Sequence, residues 1–265
     1  MVPRLLIFVT LASAQPAFEV ASVRPSIAAM PGPLSIRIDG TQFTARNITL
    51  LWLVLRAFRI TSCGEEGQYG CSAVAGGSDW IKKERFDIQA KIPDGTPAYD
   101  VPQLMNGQAA EVARMIEGLL ADRFRFQAHR EGREMPIYAL TVSPKGHKLG
   151  QPQASSAAPH ILVSPSDANG QRSFQFEALH SSMRDLSDFF SSCMKRPMID
   201  RSGLVGKFHV VLTYDANPLM PGDFTELAGP ELFRAMEEQL GLKLEAKRGP
   251  VEILVIDHAE RPAAQ

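Results

Sequence analysis

The stretch Met198-Ile-Asp-Arg-Ser-Gly-Leu-Val-Gly-Lys-Phe-His-Val-Val-Leu212 decides the fold of this chain. Asp, Ser and two Gly residues lie between two apolar runs, a composition typical of a tight turn. Apolar residues alternate from Phe208 onward, which is typical of a β-strand. We therefore predict a strand end, a turn and a second strand. Gly203 and Gly206 let the backbone turn into that strand, with a positive φ at one of them.

The same pattern occurs more weakly upstream, in Arg85-Phe-Asp-Ile-Gln-Ala-Lys-Ile92. The elements predicted on both sides of the two stretches follow the same order, so that each half consists of a hairpin, a helix, a strand, a helix and a second hairpin. The sequence therefore predicts an α+β fold of two similar halves, each a mostly antiparallel sheet with two helices on one face. We interpret this as an internal duplication in which Phe86 and Phe208 occupy equivalent core positions.

Turn and capping residues mark the individual elements of each half. Asp39-Gly40 and Asn169-Gly170 are typical of hairpin turns. Asn47 or Thr49 can cap a helix that is apolar nearly all round, and Ser182 begins a capping-box pattern. The predicted helices span 50–58, 111–121, 183–194 and 231–240, and the predicted closing hairpins span 124–142 and 242–256.

The first 14 residues resemble a signal peptide. Arg4 precedes a short apolar run, and Ala12-Ser-Ala14 fits the small-x-small rule for cleavage before Gln15. The run is too short to span a bilayer, and a buried N-terminal strand is the alternative. We favour a signal peptide at 1–14, a first α+β repeat at 15–148, a linker at 149–160 and a second repeat at 161–265.

The composition is that of an ordinary globular protein. The chain has 265 residues, of which 45% are hydrophobic, and a formal net charge of -1. Near-neutral charge without a basic block gives no reason to expect nucleic acid as a partner. We expect an exported chain, periplasmic or extracellular, with no stable membrane span in its mature form. Its expected partner is an unknown envelope protein or extracellular ligand.

The three cysteines fall into two groups. Cys63 and Cys71 flank a Gly-rich loop, and in an oxidising compartment a local disulfide is the expected pairing. A metal site is the competing interpretation, but two cysteines without a nearby histidine do not complete a zinc site. Cys193 lies among apolar helix positions, so we expect it to be a buried free thiol.

Two sets of polar residues are candidates for chemistry. Asp200, Ser202 and His209 supply the residue types of a nucleophilic triad, but no Gly-x-Ser-x-Gly elbow is present and turn geometry explains the Ser-Gly pair better. His129 and His258 occupy matching ends of the two predicted closing hairpins, yet a metal site needs three or four ligands. No Gly-rich phosphate loop or Rossmann pattern occurs. We therefore predict no catalytic residues, no bound metal and no cofactor.

Polar and aromatic residues near turns are the candidate binding residues. Trp80 follows two glycines in a predicted loop, where it can act as an exposed anchor, although packing over a sheet edge is the usual fate of such a side chain. The other candidate binding residues are Asp200, Arg201, His129 and His258.

Several stretches together resemble one family: Phe18-Glu-Val-Ala-Ser-Val-Arg-Pro25, Phe43-Thr-Ala-Arg-Asn-Ile-Thr-Leu50, Gly77-Ser-Asp-Trp80, Leu119-Leu-Ala-Asp-Arg-Phe124, Met135-Pro-Ile-Tyr-Ala-Leu140, Ile199-Asp-Arg-Ser-Gly-Leu-Val-Gly-Lys-Phe208 and Val255-Ile-Asp-His-Ala-Glu-Arg-Pro262. The chain is similar to an exported family of soil bacteria, much expanded in acidobacteria and carried as a domain of unknown function. Relatives of this domain also occur at the C-terminus of membrane-bound sensor metallopeptidases of the beta-lactam-sensor type. This chain lacks the His-Glu-x-x-His motif of such peptidases, and the resemblance implies no activity.

The sequence alone names no reaction. Because the duplicated scaffold carries no assembled catalytic set, we predict a non-catalytic exported binding or interaction module. One alternative is an envelope hydrolase that uses groups near Asp200, Ser202, His209 or His258. The other is a sensor or regulatory domain of a peptidase signalling system, which only the fused relatives suggest.

Overall fold

The computed structural model describes residues 16–26, 33–63, 71–152, 161–168, 171–194, 196–215 and 230–263. It confirms the α+β class, with helices beside mostly antiparallel sheets. The strands are β1 (Val20–Pro25), β2 (Ser35–Asp39), β3 (Gln42–Thr49), β4 (Val74–Gly76), β5 (Arg85–Lys91), β6 (Gln127–Val142), β7 (Ile161–Ala168), β8 (Gln171–Ser181), β9 (Met198–Asp200), β10 (Phe208–Asp215) and β11 (Leu242–His258). The helices are α1 (Leu50–Ala57), α2 (Trp80–Lys83), α3 (Val101–Met105), α4 (Ala110–Phe124), α5 (Met183–Met194) and α6 (Pro230–Ala235), which continues as a π-helical segment, Met236–Leu240.

In the first half, four antiparallel strands form a sheet in the order β1-β5-β3-β2. The predicted hairpin turn at Asp39-Gly40 is confirmed, since β2 and β3 pair up to Asp39 and Gln42 on either side of it. Thr49 caps α1, because its hydroxyl accepts a hydrogen bond from the Trp52 N–H at 3.1 Å. All eight residues of α1 are buried, and α4 packs beside it on the same core.

In the second half, three antiparallel strands form a sheet in the order β10-β8-β7. The predicted turn at Asn169-Gly170 lies outside the described residues, but β7 and β8 pair up to Ala168 and Gln171 on either side of it. The capping box at the start of α5 is confirmed. Asp185 accepts hydrogen bonds from the N–H and the hydroxyl of Ser182, and that hydroxyl accepts one from the Asp185 N–H.

A third sheet joins the two halves in the order β4-β11-β6-β9. Its centre is an antiparallel ribbon in which β6 pairs with β11, from Gln127 opposite His258 to Val142 opposite Leu242. The two short outer strands, β4 and β9, pair with the ribbon in parallel. The closing hairpins predicted at 124–142 and 242–256 are therefore wrong, because each range holds one continuous strand whose partner lies in the other half.

Both long strands contain a proline that a ribbon of this kind accommodates. Pro136 lies two residues before Tyr138, whose N–H donates outward to a residue beside β9. Pro250 lies four residues before Leu254, whose N–H donates outward to a residue beside β4. Outward-facing N–H groups recur at every second residue of a strand. Both prolines therefore occupy outer-edge positions, where a missing donor costs no bond of the central ladder.

The ribbon connects two hydrophobic cores. Strand β6 begins with Ala128 packed against the core of the first half and ends with Leu140 in the core of the second. Strand β11 begins with Leu242 in the core of the second half and ends with Leu254 and Ile256 in the core of the first. Each half thus completes its core with side chains from the other half.

The two halves share a strand order, because β5-β3-β2 in the first corresponds to β10-β8-β7 in the second. Helix α1 follows β3 as α5 follows β8. At the compared core positions, however, Phe86 is only 2% exposed, whereas Phe208 is partly buried and lies against His147. A register shift between Phe208 and Val210 interrupts the pairing of β10 there. The internal duplication stays a prediction.

The turn between β9 and β10 has the backbone conformation that its glycines suggested. Gly203 has a φ of +71° and Gly206 a φ of +110°. Both values lie in the region that residues with a Cβ rarely adopt. Positive φ therefore occurs at both glycines, one more than the sequence predicted.

The ends and the predicted linker are described only in part. Residues 1–14, the predicted signal peptide, lie outside the described residues. The predicted linker at 149–160 is described as far as residue 152, and in that part Gly150 forms a bridge with His209 through two backbone hydrogen bonds of 2.9 and 3.0 Å. Within the described ranges, no helix combines the length and the apolar character needed to cross a membrane.

Candidate functional site

A cleft lies where the two halves meet, over the middle of the β6/β11 ribbon. Its volume is about 670 Å³, a size typical of ligand sites in proteins. The first half contributes the C-terminal end of α1, the loop after it and one residue of α4. The second half contributes α5 and β9, and both ribbon strands contribute side chains to the floor. The cleft is therefore a product of the whole fold and of neither half alone.

The middle of the ribbon supplies the polar floor of this cleft. Side chains alternate between the two faces of the ribbon. Arg130, Pro250 and Glu252 therefore lie on the same face as the ribbon side chains that enter the two hydrophobic cores, one core at each end of the ribbon. Arg130 Nη1 lies 2.5 Å from Glu252 Oε1, and both side chains are more than half exposed, at 52% and 63%. Because exposed ion pairs contribute little to stability, this pair is able to exchange its internal partner for a ligand group.

Helix α5 forms the wall on the side of the second half. Arg184, Asp188 and Ser191 are spaced by four and three residues, so they share one helical face that lines the cleft. Asp188 accepts a hydrogen bond from the hydroxyl of Thr61, in the loop after α1, and lies 3.9 Å from Arg184 Nε. Burial raises the pKa of Asp188 above its ordinary value, and the contacts with Thr61 and Arg184 offset this only in part. This carboxyl joins the two halves across the cleft.

The wall on the side of the first half carries a charged pair of opposite sign. Arg59, just after α1, has a φ of +54°, a left-handed backbone conformation that residues other than glycine rarely adopt. Glu117 lies on α4, and partial burial raises the pKa of its carboxyl, while the guanidinium groups of Arg114, Arg130 and Arg59 lower it to a smaller extent. The Glu117 carboxyl therefore lies within electrostatic reach of both Arg59 and Arg130 along the cleft.

A disulfide closes the rim of the cleft. Cys63 and Cys71 are bonded, with Cα atoms 4.7 Å apart, as predicted. Their neighbours Ser62 and Ser72 both line the cleft, so the bond fixes two rim segments to each other. Cys193 is free and buried, and burial raises the pKa of its thiol to about 11. That thiol is protonated at neutral pH and is not an activated nucleophile.

The structure places the predicted anchor Trp80 outside the cleft. Its ring lies edge-on to Phe86, with ring centroids 6.3 Å apart, and the Arg261 guanidinium lies 5.2 Å from the centre of the Trp80 ring. Arg261 in turn forms a forked ion pair with Glu84. The Trp80 side chain is thus partly buried under the C-terminal segment. It packs against its neighbours, which was the alternative to an exposed anchor.

The two candidate histidines form separate contacts at the end of the ribbon. His129 Nδ1 lies 2.9 Å from the Asp257 carboxylate, and His258 Nε2 lies 2.9 Å from Glu260 Oε1. Both imidazoles are exposed, and each interacts with its own carboxylate. In the part of the chain that the structure describes, no group of three or more His, Cys, Asp or Glu side chains is arranged to hold a metal ion.

The candidate residues of the β9–β10 turn interact within the turn. Asp200 accepts hydrogen bonds from the N–H and the hydroxyl of Ser202, at 2.9 and 2.7 Å. Arg201 exposes its side chain beside them. His209 Nε2 lies 3.0 Å from Glu177 Oε1 on the neighbouring strand. The structure therefore does not bring the three residues of the suggested triad together as a nucleophile and its base.

The residues that do line the cleft were not predicted from the sequence. Arg59, Glu117, Arg130, Asp188 and Glu252 come from five different elements, so their spacing along the chain carries no pattern. One local signal was present on α5, where polar residues recur on the helix face away from the second core. That pattern is also typical of an ordinary solvent-exposed helix face.

Fold and site define a class: an α+β protein of two interlocked halves with a polar cleft between them. The chain belongs to the family described as Protein of unknown function (DUF3738), whose family model matches residues 67–259. The predicted resemblance to a domain of unknown function is thereby confirmed, whereas an acidobacterial origin and a link to peptidases stay predictions. Comparisons with curated proteins and with solved structures found no significant match.

Proposed function

We propose that this protein is an exported binding module that holds its ligand in the cleft between the two halves. The observation that carries the proposal is the cleft itself, about 670 Å³ in volume and lined by both halves. Ligand sites are typically concave, partly apolar and equipped with a few convergent polar groups. The cleft has an apolar part, which includes Ile60, Met198 and Leu254, and polar groups that converge from both sides.

The polar groups of the cleft favour a ligand with both hydrogen-bond donors and acceptors. The guanidinium groups of Arg59, Arg130 and Arg184 are donors only, and the carboxylates of Glu117, Asp188 and Glu252 accept when ionised. The formal charges of these six residues cancel. A ligand of strong single-sign charge would meet groups of both signs, so a neutral or dipolar ligand fits the cleft best.

Binding rather than hydrolysis is the activity that these contacts support. A hydrolase with the suggested triad needs its serine within hydrogen-bond distance of the histidine base. Ser202 instead donates to Asp200, and the His209 ring lies against Glu177. The disulfide at the rim of the cleft supports export, because such bonds persist in oxidising compartments.

A matched pair of substitutions tests the cleft as the binding site. Ser72 is a rim residue of the cleft, and Ser35 is an exposed residue of β2 away from it. The purified protein is screened by thermal shift against short peptides, oligosaccharides, nucleosides and fatty acids. We expect at least one class to raise the melting temperature of the wild type, since a ligand that binds only the native state stabilises it.

The Ser72→Trp variant should lose that shift because the indole fills the cleft entrance, whereas Ser35→Trp should keep it. A shift that survives in Ser72→Trp, or a panel in which no compound acts on the wild type, would contradict the proposal.

A further inference from the structure

One wall of the cleft is the edge of β11 before Leu254, with which no strand in the described ranges pairs. Strand β4 pairs with β11 only from Leu254 to Ile256. The Leu254 N–H donates outward to Ala73, so the backbone groups that point to this edge belong to Leu254 and to every second residue before it. Glu252 and Pro250 therefore direct backbone groups to the same edge. No residue in the described ranges forms a hydrogen bond with the outward N–H or C=O of Glu252.

This open edge faces the cleft. Ser72 and Ala73, which lead into β4, line the cleft together with the β11 residues from Pro250 to Glu252. Residues 72–73, which lead into β4 beside Glu252, form a turn, so no strand in the described ranges pairs with β11 at Glu252. An edge that presents unpaired N–H and C=O groups is a template for one more strand.

We propose that the ligand of the cleft is an extended peptide segment that pairs with β11 at Glu252, beside the start of β4. The inference rests on the proposed function and names its ligand class. The Glu252 N–H donates to a peptide carbonyl, and the carbonyls of Pro250 and Glu252 accept from peptide N–H groups. Pro250 has no N–H, so the pairing is anchored mainly at Glu252.

The charges around the edge select the side chains of the peptide. Arg59 and Arg184 offer guanidinium groups to an acidic side chain, and Glu117 offers a carboxylate to a basic one. Side chains two residues apart on an extended strand point to the same side. A peptide in which acidic and basic side chains alternate with small apolar ones therefore matches the cleft better than a peptide of single-sign charge.

A pair of substitutions at one position isolates the backbone donor. Glu252→Ala and Glu252→Pro both remove the ion pair with Arg130, but only Glu252→Pro also removes the N–H. Proline is acceptable at an open edge, as Pro250 shows two residues earlier. The probes are blocked hexapeptides in which Val alternates with Lys or Glu, and binding to the purified protein is measured by fluorescence anisotropy.

We expect Glu252→Pro to bind the best of these probes about tenfold more weakly than Glu252→Ala, since a peptide carbonyl loses its donor. Equal affinities of the two variants would overturn the inference. If Glu252→Pro does not fold, the test moves to the probe. Methylation of the peptide nitrogens, one at a time, should weaken binding to the wild type about tenfold at alternate positions only.

The two proposals fail in different ways. If Ser72→Trp abolishes binding of a saccharide, nucleoside or fatty acid while no hexapeptide binds, the cleft function stands and the peptide inference is wrong. If hexapeptides bind equally well to the wild type and to Ser72→Trp, they bind elsewhere and the inference is also wrong. Loss of peptide binding in both Ser72→Trp and Glu252→Pro, but not in Glu252→Ala, supports both.

Discussion

The two halves of the molecule have one strand order but cover their edge strands differently. In the first half, the outer edge of β5 is paired along its length with the six residues of β1. In the second half, β10 occupies the corresponding position, and its described edge is met by Gly150 at one point and by the Gln239 side chain at another. The comparison teaches that a sheet edge can be protected by isolated contacts as well as by a full strand.

The helices that correspond in the two halves also differ in character. Helix α1 is buried at all eight positions, whereas α5 is buried on one face and polar on the other. The polar face of α5 lines the cleft, which explains why the second half supplies Asp188 and Arg184 to it. If the halves arose by duplication, α1 has kept a fully buried surface whereas α5 has acquired a polar face that lines the cleft. The duplication itself stays a prediction.

The largest expected difference between the halves concerns their central phenylalanines. Phe86 is 2% exposed and its ring lies 5.3 Å from that of Phe124. Phe86→Ala should lower the free energy of unfolding by about 3–5 kcal/mol, as for a fully buried aromatic side chain. Phe208→Ala should cost about half of that, because only part of its apolar surface is removed from water. Urea denaturation of both variants measures the difference, and equal losses would break the comparison.

The disulfide should produce the next largest effect, and it belongs to the first half alone. Cys63→Ser combined with Cys71→Ser opens a short loop and should lower the free energy of unfolding by about 2–3 kcal/mol. Cys193→Ser is the control for loss of a thiol in the second half. Denaturation with and without dithiothreitol measures the effect, since the reductant should destabilise the wild type and leave the double variant unchanged. A double variant as stable as the wild type would remove the structural role of the bond.

The smallest expected effect concerns two carboxyls of α5 that have no counterpart in α1. Burial opposes the charge of Asp185, but hydrogen bonds from Lys207 and Ser182 outweigh it and lower its pKa. Asp185→Asn should therefore cost about 1 kcal/mol near neutral pH. The stability that Asp185 contributes should be lost as the pH falls from its ordinary pKa of about 3.9 toward the lowered value in the folded state.

Asp188 should respond with the opposite sign. Because burial raises its pKa, the folded state holds the proton longer than the unfolded state does. The stability of the wild type should therefore decrease as the pH rises from the ordinary aspartate pKa through the raised one, and Asp188→Asn should abolish this decrease. Urea denaturation at a series of acidic to neutral pH values follows both variants. The same pH trend in Asp185→Asn and Asp188→Asn would contradict these assignments.

Local signals predicted the local elements of the fold well. The turn at Asp39-Gly40, the cap at Thr49 and the capping box at Ser182 are all present, because each depends on residues within a few positions of one another. The central ribbon was missed for the opposite reason. The sequence predicted a closing hairpin within each of 124–142 and 242–256, and nothing local indicates that these two segments instead pair with each other from one half to the other.

The cleft was harder to predict than the fold. Thr61 and Asp188 form one contact but are separated by 127 positions in the chain. The predicted candidates, such as Trp80 and His258, were chosen because their residue types often bind ligands, and the structure places them at the packed C-terminal segment instead. Residue type alone does not reveal which surfaces a long-range strand pairing will bring together.

The shared ribbon has a consequence for how the chain is made. Strand β11 follows all the other described elements in the sequence, and its end supplies Leu254 and Ile256 to the core of the half that is synthesised first. The first half therefore cannot close its interior as it emerges, and must wait until β11 has been synthesised. Contacts of such long sequence separation slow folding. A chain interrupted anywhere before residue 242 would leave two unfinished interiors rather than one finished domain and one missing domain.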